Sequence, residues 1–318
     1  MKNLPSIFND VIGPVMRGPS SSHTAASWRI ARTGLDILTE PLEKAVIQFD
    51  RDGAWAPNYR EQGTVMGING GLLGLEITDS RMKATEQLAR EMAIDIQFEV
   101  SSFPTDHANT VRLFLTGKNG KTVKVLAGST GGGAFEIREV DDFKVALHGN
   151  FHSLLIRTAE PESLAGVLAG FLPDRVLQST NHDSVNSLLQ LNNPEPIEPG
   201  LIDHLNGHPA ADELVLINPL LPVVSGKGSE PPFTSFRSCL EYPKTDHVDA
   251  GQLGLLYEKH MSGLTDRELR SKMEEIIGIV HHSMATGLAG TQYEDRILQQ
   301  QSHRIQQAAD QEIGRAHV

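Results

Sequence analysis

The stretch Gly18-Pro19-Ser20-Ser21-Ser22-His23-Thr24 decides how the first part of the chain folds, because it separates two apolar segments and carries polar side chains after its proline. Gly18 and Pro19 end any helix that arrives from the N-terminal side, and serine and threonine are favoured just before a helix. We therefore predict a loop here, followed by a helix that starts near residues 22 to 24.

A loop of this kind at the start of a helix is typical of an anion site. Hydroxyl groups, free first-turn N–H groups and the positive end of the helix macrodipole point the same way, and an imidazole that can donate or accept stands beside them. A carboxylate or a phosphate would fit there. The alternative is a capped helix start with no ligand, because runs of serine before helices are common.

Composition excludes several classes of protein. A chain of 318 residues with 39% hydrophobic and 21% charged residues is ordinary for a globular protein of two or three domains. A net charge of −12 without a dense basic run argues against nucleic acid as a partner. We also predict no membrane span and a cytoplasmic location, because the sequence has no apolar run of about 18 residues and no signal-peptide pattern at its start.

One cysteine, Cys239, excludes a disulfide within the chain. It also excludes a cysteine-ligated cluster or structural zinc held by this chain alone. We therefore predict no metal ligands.

Apolar periodicity predicts an α+β fold. Helices are predicted over residues 25–38 and 81–92, and strands over residues 44–50, 95–100, 111–115 and 122–127. The glycine-rich segment 128–133 then leads into Ala134-Phe135-Glu136-Ile137. It is either a backbone wall that faces the serine-rich loop or a plain hairpin turn.

The middle of the chain predicts a second group of elements. Strands at 153–157, 175–179, 187–191 and 213–217, with helices at 162–172 and 199–206, give the order βαββαβ of the ferredoxin-like split unit. A linker rich in proline and glycine follows at 221–239. Thr265 and Glu268 form a capping box that opens a helix from about residue 266 to 287.

The stretch 18–24 closely resembles the signature at the start of the β domain of bacterial iron–sulfur-dependent L-serine dehydratases, also called L-serine ammonia-lyases or L-serine deaminases. Residues 105–111 resemble that family's His-Pro-Asn-Thr-Val, with Ala108 in place of proline. Residues 59–65 resemble its Tyr-Lys-Gly-His-Gly-Thr-Asp, with Gln62 at the histidine position and Val65 at the aspartate position. Glutamine cannot titrate near neutral pH, so Gln62 could not take over any acid–base duty of that histidine.

The resemblance implies a domain organisation. It implies a serine dehydratase β-type domain at 1–148, a ferredoxin-like βαββαβ (ACT-like) domain at 149–220, the linker at 221–239 and the start of a helical α-type domain at 240–312. The last residues, 313–318, read like a translated sequencing adapter. We therefore expect a truncated gene product with a cloning scar at its end.

The resemblance also implies a function, the conversion of L-serine to pyruvate and ammonia by an L-serine ammonia-lyase with a [4Fe–4S] cluster. The cluster cysteines are absent from this chain, so we expect it to be inactive alone and to act as part of a homodimer. No catalytic residue is assigned. The residues expected to bind the amino acid or an effector are Ser20, Ser21, Ser22, His23, Thr24, Thr64, His107 and Asn109.

Two alternatives stay open. His107 and Asn109 either contact the ligand or simply form a turn before the strand at 111–115. The chain as a whole is either part of the lyase or a non-catalytic serine-binding regulatory module, similar to the allosteric domain of some phosphoglycerate dehydrogenases. Gln62, Val65 and the shortage of cysteine favour the module, whereas the adapter-like tail and the resemblance of residues 252–264 to the beginning of the family's α domain favour the lyase.

Overall fold

A computed structural model describes residues 4–13, 15–171, 177–181, 186–220, 224, 228–242, 249–290, 301 and 304–310. The chain forms two compact units, one of residues 12–223 and one of residues 1–11 with 224–318. The predicted α+β class is confirmed. In the described ranges, no helix is long and apolar enough to cross a bilayer.

The larger unit begins with helix α1 (Ala26–Leu38), which a π-helical turn at Ser21–Ala25 precedes without a break. Its other helices are α2 (Thr64–Leu72), α3 (Thr85–Glu91), α4 (Pro161–Phe171) and α5 (Pro199–Asn206). Its strands are β1 (Leu42–Asp50), β2 (Asp95–Ser101), β3 (Thr110–Gly117), β4 (Thr122–Gly131), β5 (Ala134–Val140), β6 (Phe143–Leu147), β7 (His152–Thr158), β8 (Leu177–Asn181), β9 (Ser187–Asn193) and β10 (Glu213–Ile217).

Strands β1 to β6 form one mixed sheet in the order β2-β1-β3-β4-β5-β6. Only β1 and β2 run parallel in it, since α2 and α3 form the crossover between them. Helix α1 packs on the middle strands and buries Ile30, Ala31 and Leu38 in the main core.

The predicted helix over 81–92 is two elements, a 3₁₀ helix at Ser80–Ala84 and α3. The carboxylate of Asp79 accepts from the backbone N–H of Arg81 at 2.8 Å, and the Asp79 carbonyl accepts from the N–H of Met82 at 3.1 Å. These bonds close a tight i to i+3 turn, so the α-helical geometry begins only at Thr85.

Helices α1 and α2 approach each other closely because α2 is rich in glycine. A Cβ atom at Gly71 would lie 2.5 Å from the carbonyl oxygen of Trp28 and 2.8 Å from the Cβ of Ala31. A Cβ at Gly67 would lie 2.3 Å from the carbonyl oxygen of Thr24. These glycines therefore bring the start of α2 against the start of α1.

Strands β7 to β10 form a second, antiparallel sheet in the order β10-β7-β9-β8. The predicted βαββαβ order is observed, while the predicted helix end at 172 and the strand start at 175–176 lie outside the described residues. Leu155, Leu188 and Val215 belong to the same core as the first sheet, so the two sheets share apolar packing.

Polar contacts also join the two sheets. The buried Gln190 side chain accepts from the backbone N–H of Ala146 at 2.9 Å and donates to its carbonyl at 2.7 Å. Glu213 pairs with Lys121 at 2.5 Å and with Arg157 at 3.3 Å. Burial alone would raise the pKa of Glu213, but its hydrogen bonds and charge pairing with these two cations leave that pKa below its ordinary value.

A short helix at Ile7–Ile12 begins in the smaller unit, which also has α6 (Phe236–Glu241), α7 (Ala250–Ser262), α8 (Asp266–Ala289) and a helical run at 304–310. Helix α6 begins inside the segment predicted as a linker, and the Thr265–Glu268 capping box is confirmed. The buried carboxylate of Glu258 accepts from the hydroxyl of Ser6 at 2.6 Å and from the N–H of Ile7 at 2.7 Å. The tail at 313–318 lies outside the described residues.

Candidate functional site

The serine-rich stretch enters α1 as predicted, one residue earlier than expected. Ser20 is extended and precedes the first helical residue, Ser21. The carbonyl oxygen of Ser20 accepts from the backbone N–H of Thr24 at 2.7 Å, and that of Ser21 accepts from the N–H of Ala26. The Ser20 hydroxyl makes no capping bond to the backbone, so it is available to another partner.

That partner is His23. Its Nδ1 lies 3.0 Å from the Oγ of Ser20 and 3.3 Å from the Oγ of Ser22, and these two oxygens are 3.3 Å apart. On the other side of the ring, Nε2 lies 3.2 Å from the Oδ1 of Asn58. We call Ser20, Ser22, His23 and Asn58 the imidazole cluster.

The imidazole is buried while the hydroxyls beside it are reachable. His23 is 8% exposed, whereas Ser20 and Ser22 are only half-buried. Burial lowers the pKa of His23 below its ordinary value, and the hydrogen bond to Asn58 offsets part of that effect. The ring is therefore neutral at and above neutral pH, with one nitrogen donating and the other accepting.

The loop between β1 and α2 supplies the opposite wall. The hydroxyl of Thr24 donates to the carbonyl of Gln62 at 3.1 Å, and that of Ser27 donates to the carbonyl of Thr64 at 3.2 Å. Gly63 has φ +82°, and a Cβ there would lie 2.4 Å from the Oγ1 of Thr24. Only glycine allows this left-handed backbone to approach so closely.

Two side chains of this loop end in polar atoms that lack a partner. The hydroxyl of Thr64, a residue with no exposed surface, has no hydrogen bond to any described atom. The same holds for the indole N–H of Trp55, whose ring centroid lies 5.9 Å from that of His23. Buried polar groups are rarely left unpaired in folded proteins, so each of these atoms has an unused hydrogen bond to offer.

The loop between β2 and β3 forms a turn through a hydrogen bond between two of its own residues. Nδ1 of His107 accepts from the backbone N–H of Asn109 at 3.1 Å, which makes the turn that was one of the two predicted alternatives. The Oδ1 of Asn109 is buried and has no partner among the described residues. The carbonyl of Ala108 accepts from the N–H of Ala54 at 2.8 Å, so this loop contacts the one that carries Trp55 and Asn58.

The structure therefore brings together only some of the predicted site residues. Ser20, Ser22 and His23 form one cluster, and Thr24 and Thr64 contact its surroundings. Ser21 contributes a carbonyl to the first turn. No hydrogen bond in the described part of the chain joins His107 or Asn109 to the imidazole cluster.

The triple glycine forms the turn between β4 and β5, with positive φ at each of Gly131, Gly132 and Gly133. The hairpin alternative is thus correct, and the turn also lies against the start of α1. A Cβ at Gly133 would be 3.4 Å from the Cβ of Ala25, and the carbonyl of Gly133 accepts from the buried guanidinium of Arg29 at 3.2 Å.

Sequence reasoning missed Asn58 and Trp55. Both lie just before residues 59–65, the stretch that resembles the family's motif. Their nearness to that motif was the signal in the sequence that could have pointed to them. Gln62, at the family's histidine position, contacts the imidazole cluster through its backbone, since its N–H donates to the backbone carbonyl of Asn58 at 3.0 Å. Val65 faces the core and is 7% exposed.

Over the ranges that the structure describes, no three histidine, cysteine, aspartate or glutamate side chains lie together so that they could hold a metal ion. A cavity of about 20 Å³ between the two sheets is lined by Lys121, Arg157 and Glu213 with apolar neighbours, and the imidazole cluster takes no part in it.

Comparison with known proteins identifies the relatives of this chain. No family model matches it. A probable L-serine dehydratase beta chain of Bacillus subtilis (strain 168) is 36% identical over 170 residues, which cover 52% of this chain and 76% of that protein. The L-serine dehydratase beta chain of Peptoniphilus asaccharolyticus is 29% identical over 164 residues, or 51% of this chain and 73% of that protein. The chain belongs to the family of the L-serine dehydratase beta chains.

Proposed function

We propose that this chain binds L-serine at the imidazole cluster and is part of an L-serine ammonia-lyase, which converts L-serine to pyruvate and ammonia. The observation that carries the proposal is the convergence of Ser20, Ser22, His23 and Asn58 at the start of α1, in a chain of this family. Family membership supports the reaction class, and the cluster supports the place where the amino acid is held.

The chemistry of the cluster suits a small zwitterion. The first turn of a helix has free N–H groups and a positive dipole end, which favour a carboxylate. The serine hydroxyls can both donate and accept, and the neutral imidazole can hold a proton on either nitrogen. We propose that Thr24 and Thr64 support this wall and that His107 and Asn109 contribute from the neighbouring loop.

The donor set of this chain does not fit the [4Fe–4S] cluster that the family resemblance implies. Such clusters are held by about four cysteine thiolates, and the sequence contains one cysteine, Cys239. The residues of this chain therefore bind and orient the amino acid, and we propose that the chain alone does not complete the reaction.

Calorimetry with the purified chain tests the binding proposal. We expect L-serine to bind and His23→Ala to weaken binding about tenfold or more, since the hydroxyls of Ser20 and Ser22 lose their partner, which costs about 1–3 kcal/mol. His152→Ala is the matched control, because this ring also pairs with an asparagine, Asn218, at 3.1 Å but is exposed. Equal affinity of the wild type and His23→Ala would remove the cluster from the binding site.

A second candidate function is a non-catalytic serine-binding regulatory module. Gln62 and Val65 favour it, because neither side chain can exchange protons at neutral pH. Recovery of the full gene and a pyruvate assay on its product separate the two. Pyruvate release supports the lyase, whereas serine binding without pyruvate supports the module.

For residues 149–220 we propose an ACT-like domain with a structural role. The strand order β10-β7-β9-β8 supports this assignment. The turn between β7 and α4, where related domains bind amino acids, reads Ala159-Glu160-Pro161-Glu162-Ser163 and is acidic without the usual glycine. We also propose a cytoplasmic homodimer, and light scattering during gel filtration would test the dimer.

A further inference from the structure

We propose that Asn58 is a positioning residue that fixes the tautomer of His23 and thereby decides which end of the bound amino acid meets the hydroxyls of Ser20 and Ser22. The inference rests on the proposed function, that the imidazole cluster holds an amino acid. It adds a residue that acts through the imidazole and assigns the ammonium group to the hydroxyl side.

The side-chain amide of Asn58 contacts the ring of His23. The Oδ1 of Asn58 lies 3.2 Å from the Nε2 of His23. An amide oxygen only accepts hydrogen bonds, so with Oδ1 turned to the ring the proton lies on Nε2. The backbone of Asn58 is held in place, because its carbonyl accepts from the N–H of Gln62 at 3.0 Å and its N–H donates to the carbonyl of Trp55 at 3.1 Å.

The proton on Nε2 determines what the other ring nitrogen can do. A neutral imidazole carries one N–H, so with the proton on Nε2 the other nitrogen, Nδ1, has a lone pair. The ring is neutral because burial keeps the pKa of His23 below its ordinary value. Nδ1 therefore accepts from the hydroxyl of Ser20 at 3.0 Å or that of Ser22 at 3.3 Å.

The proton positions on the serine hydroxyls determine which group of the ligand they can bind. When a serine hydroxyl donates its only proton to Nδ1, its oxygen presents lone pairs to whatever binds next to it. The Oγ atoms of Ser20 and Ser22 are 3.3 Å apart, so the hydroxyl that does not donate to Nδ1 can donate to the other hydroxyl. Its oxygen then also presents lone pairs to the ligand. Lone pairs suit the N–H groups of an ammonium, which leaves the carboxylate for the positive end of the helix dipole.

The opposite tautomer would reverse this order. A proton on Nδ1 would be donated to a serine oxygen, and the hydroxyl proton would then point to the ligand and favour a carboxylate. Without an acceptor at Nε2 the two tautomers would compete, so the amide oxygen of Asn58 is the group that selects between them. Hydrogen bonds in a buried setting carry this selectivity because water does not replace them readily.

Nitrogen NMR of the histidine rings tests the tautomer directly and needs no ligand. His23→Gln identifies the His23 signals among the 13 histidines. In the wild type we expect a protonated Nε2 and an unprotonated Nδ1. In Asn58→Leu we expect averaged shifts that show both tautomers, while Asn58→Asp, which keeps an acceptor oxygen, retains the protonated Nε2.

Calorimetry with two ligands tests the consequence for binding. Glycerate carries a hydroxyl where L-serine carries its ammonium, so we expect Asn58→Leu to lower the ratio of L-serine to glycerate affinity by about tenfold. Asn218→Leu, which removes the amide beside the exposed His152, is the matched control and should leave the ratio unchanged.

The outcomes separate the two proposals. A wild-type ring with its proton on Nδ1, or an Asn58→Leu variant with wild-type shifts, overturns the role of Asn58. An unchanged affinity ratio in Asn58→Leu overturns the assignment of the ammonium group. If the wild type binds no L-serine while the tautomer behaves as expected, the proposed function fails and the positioning of the ring by Asn58 stands.

Discussion

The packing of α1 against α2 makes a prediction that can be worked through from distances. We expect Gly71→Ala to destabilise the larger unit. The new Cβ would lie 2.5 Å from the carbonyl oxygen of Trp28, 2.8 Å from the Cβ of Ala31 and 2.9 Å from the backbone nitrogen of Arg32. None of these atoms can turn away as the end of a flexible side chain can, so the two helices must separate.

The size of the effect follows from two opposing terms. Overpacking in a well-packed core costs about 1–3 kcal/mol, and contacts with rigid backbone place this case near 3. Alanine gains about 1 kcal/mol over glycine inside a helix. The net loss is about 2 kcal/mol, which lowers the melting temperature of a unit of this size by roughly 4–8 °C.

Tryptophan fluorescence during heating measures this unit alone. The two tryptophans of the chain, Trp28 and Trp55, are both buried in it. Gly166→Ala in α4 is the matched control, because a Cβ there meets nothing within 4 Å. It should raise the midpoint by about 2–4 °C, from about 1 kcal/mol of helix propensity. A Gly71→Ala protein that melts at or above the wild-type temperature would refute the reasoning.

Three further substitutions test other contacts. Burial holds the pKa of His23 below its ordinary value of about 6.5, so below that pH the unfolded chain binds more protons than the folded chain. The stability of the wild type relative to His23→Gln should therefore fall as the pH drops through about 6.5. Melting curves from pH 8 to 5 measure this difference. Gln190→Leu leaves the backbone N–H and carbonyl of Ala146 unpaired and should cost about 2–3 kcal/mol in urea unfolding; an unchanged midpoint would contradict this. Glu258→Leu removes the acceptor for the segment 4–11 and should speed its hydrogen exchange, while exchange in α1 stays the same.

Most of the fold could be predicted from the sequence because its signals are local. The helix over 25–38 and the strands over 44–50 and 95–100 have apolar side chains at regular spacing, and each lies within two residues of its observed bounds. The split at Ser80–Ala84 could not be read from periodicity, because Met82 keeps its place in the pattern while the Asp79 turn changes the geometry around it.

The residues of the candidate site also divide into those that local sequence spacing predicts and those that it does not. Ser20, Ser22 and His23 lie within one turn of a helix, so their spacing alone predicts that they meet. Asn58 reaches the same ring from 35 positions away, through a loop that has no regular period. The packing of α2 against α1 helps to bring that loop to the imidazole, and it depends on glycines whose role is visible only in three dimensions.

The hydrogen bonds of Glu258 have a consequence for how the protein is made. Ser6 meets its carboxylate partner 252 positions further along the chain. At about 5–20 residues per second, a ribosome takes roughly 12–50 s to cover that distance, long enough for the intervening unit to fold first. During this interval the segment 4–11 waits without its acceptor, so we expect chaperones and proteases to reach it in nascent chains and to lose access once α7 has been synthesised.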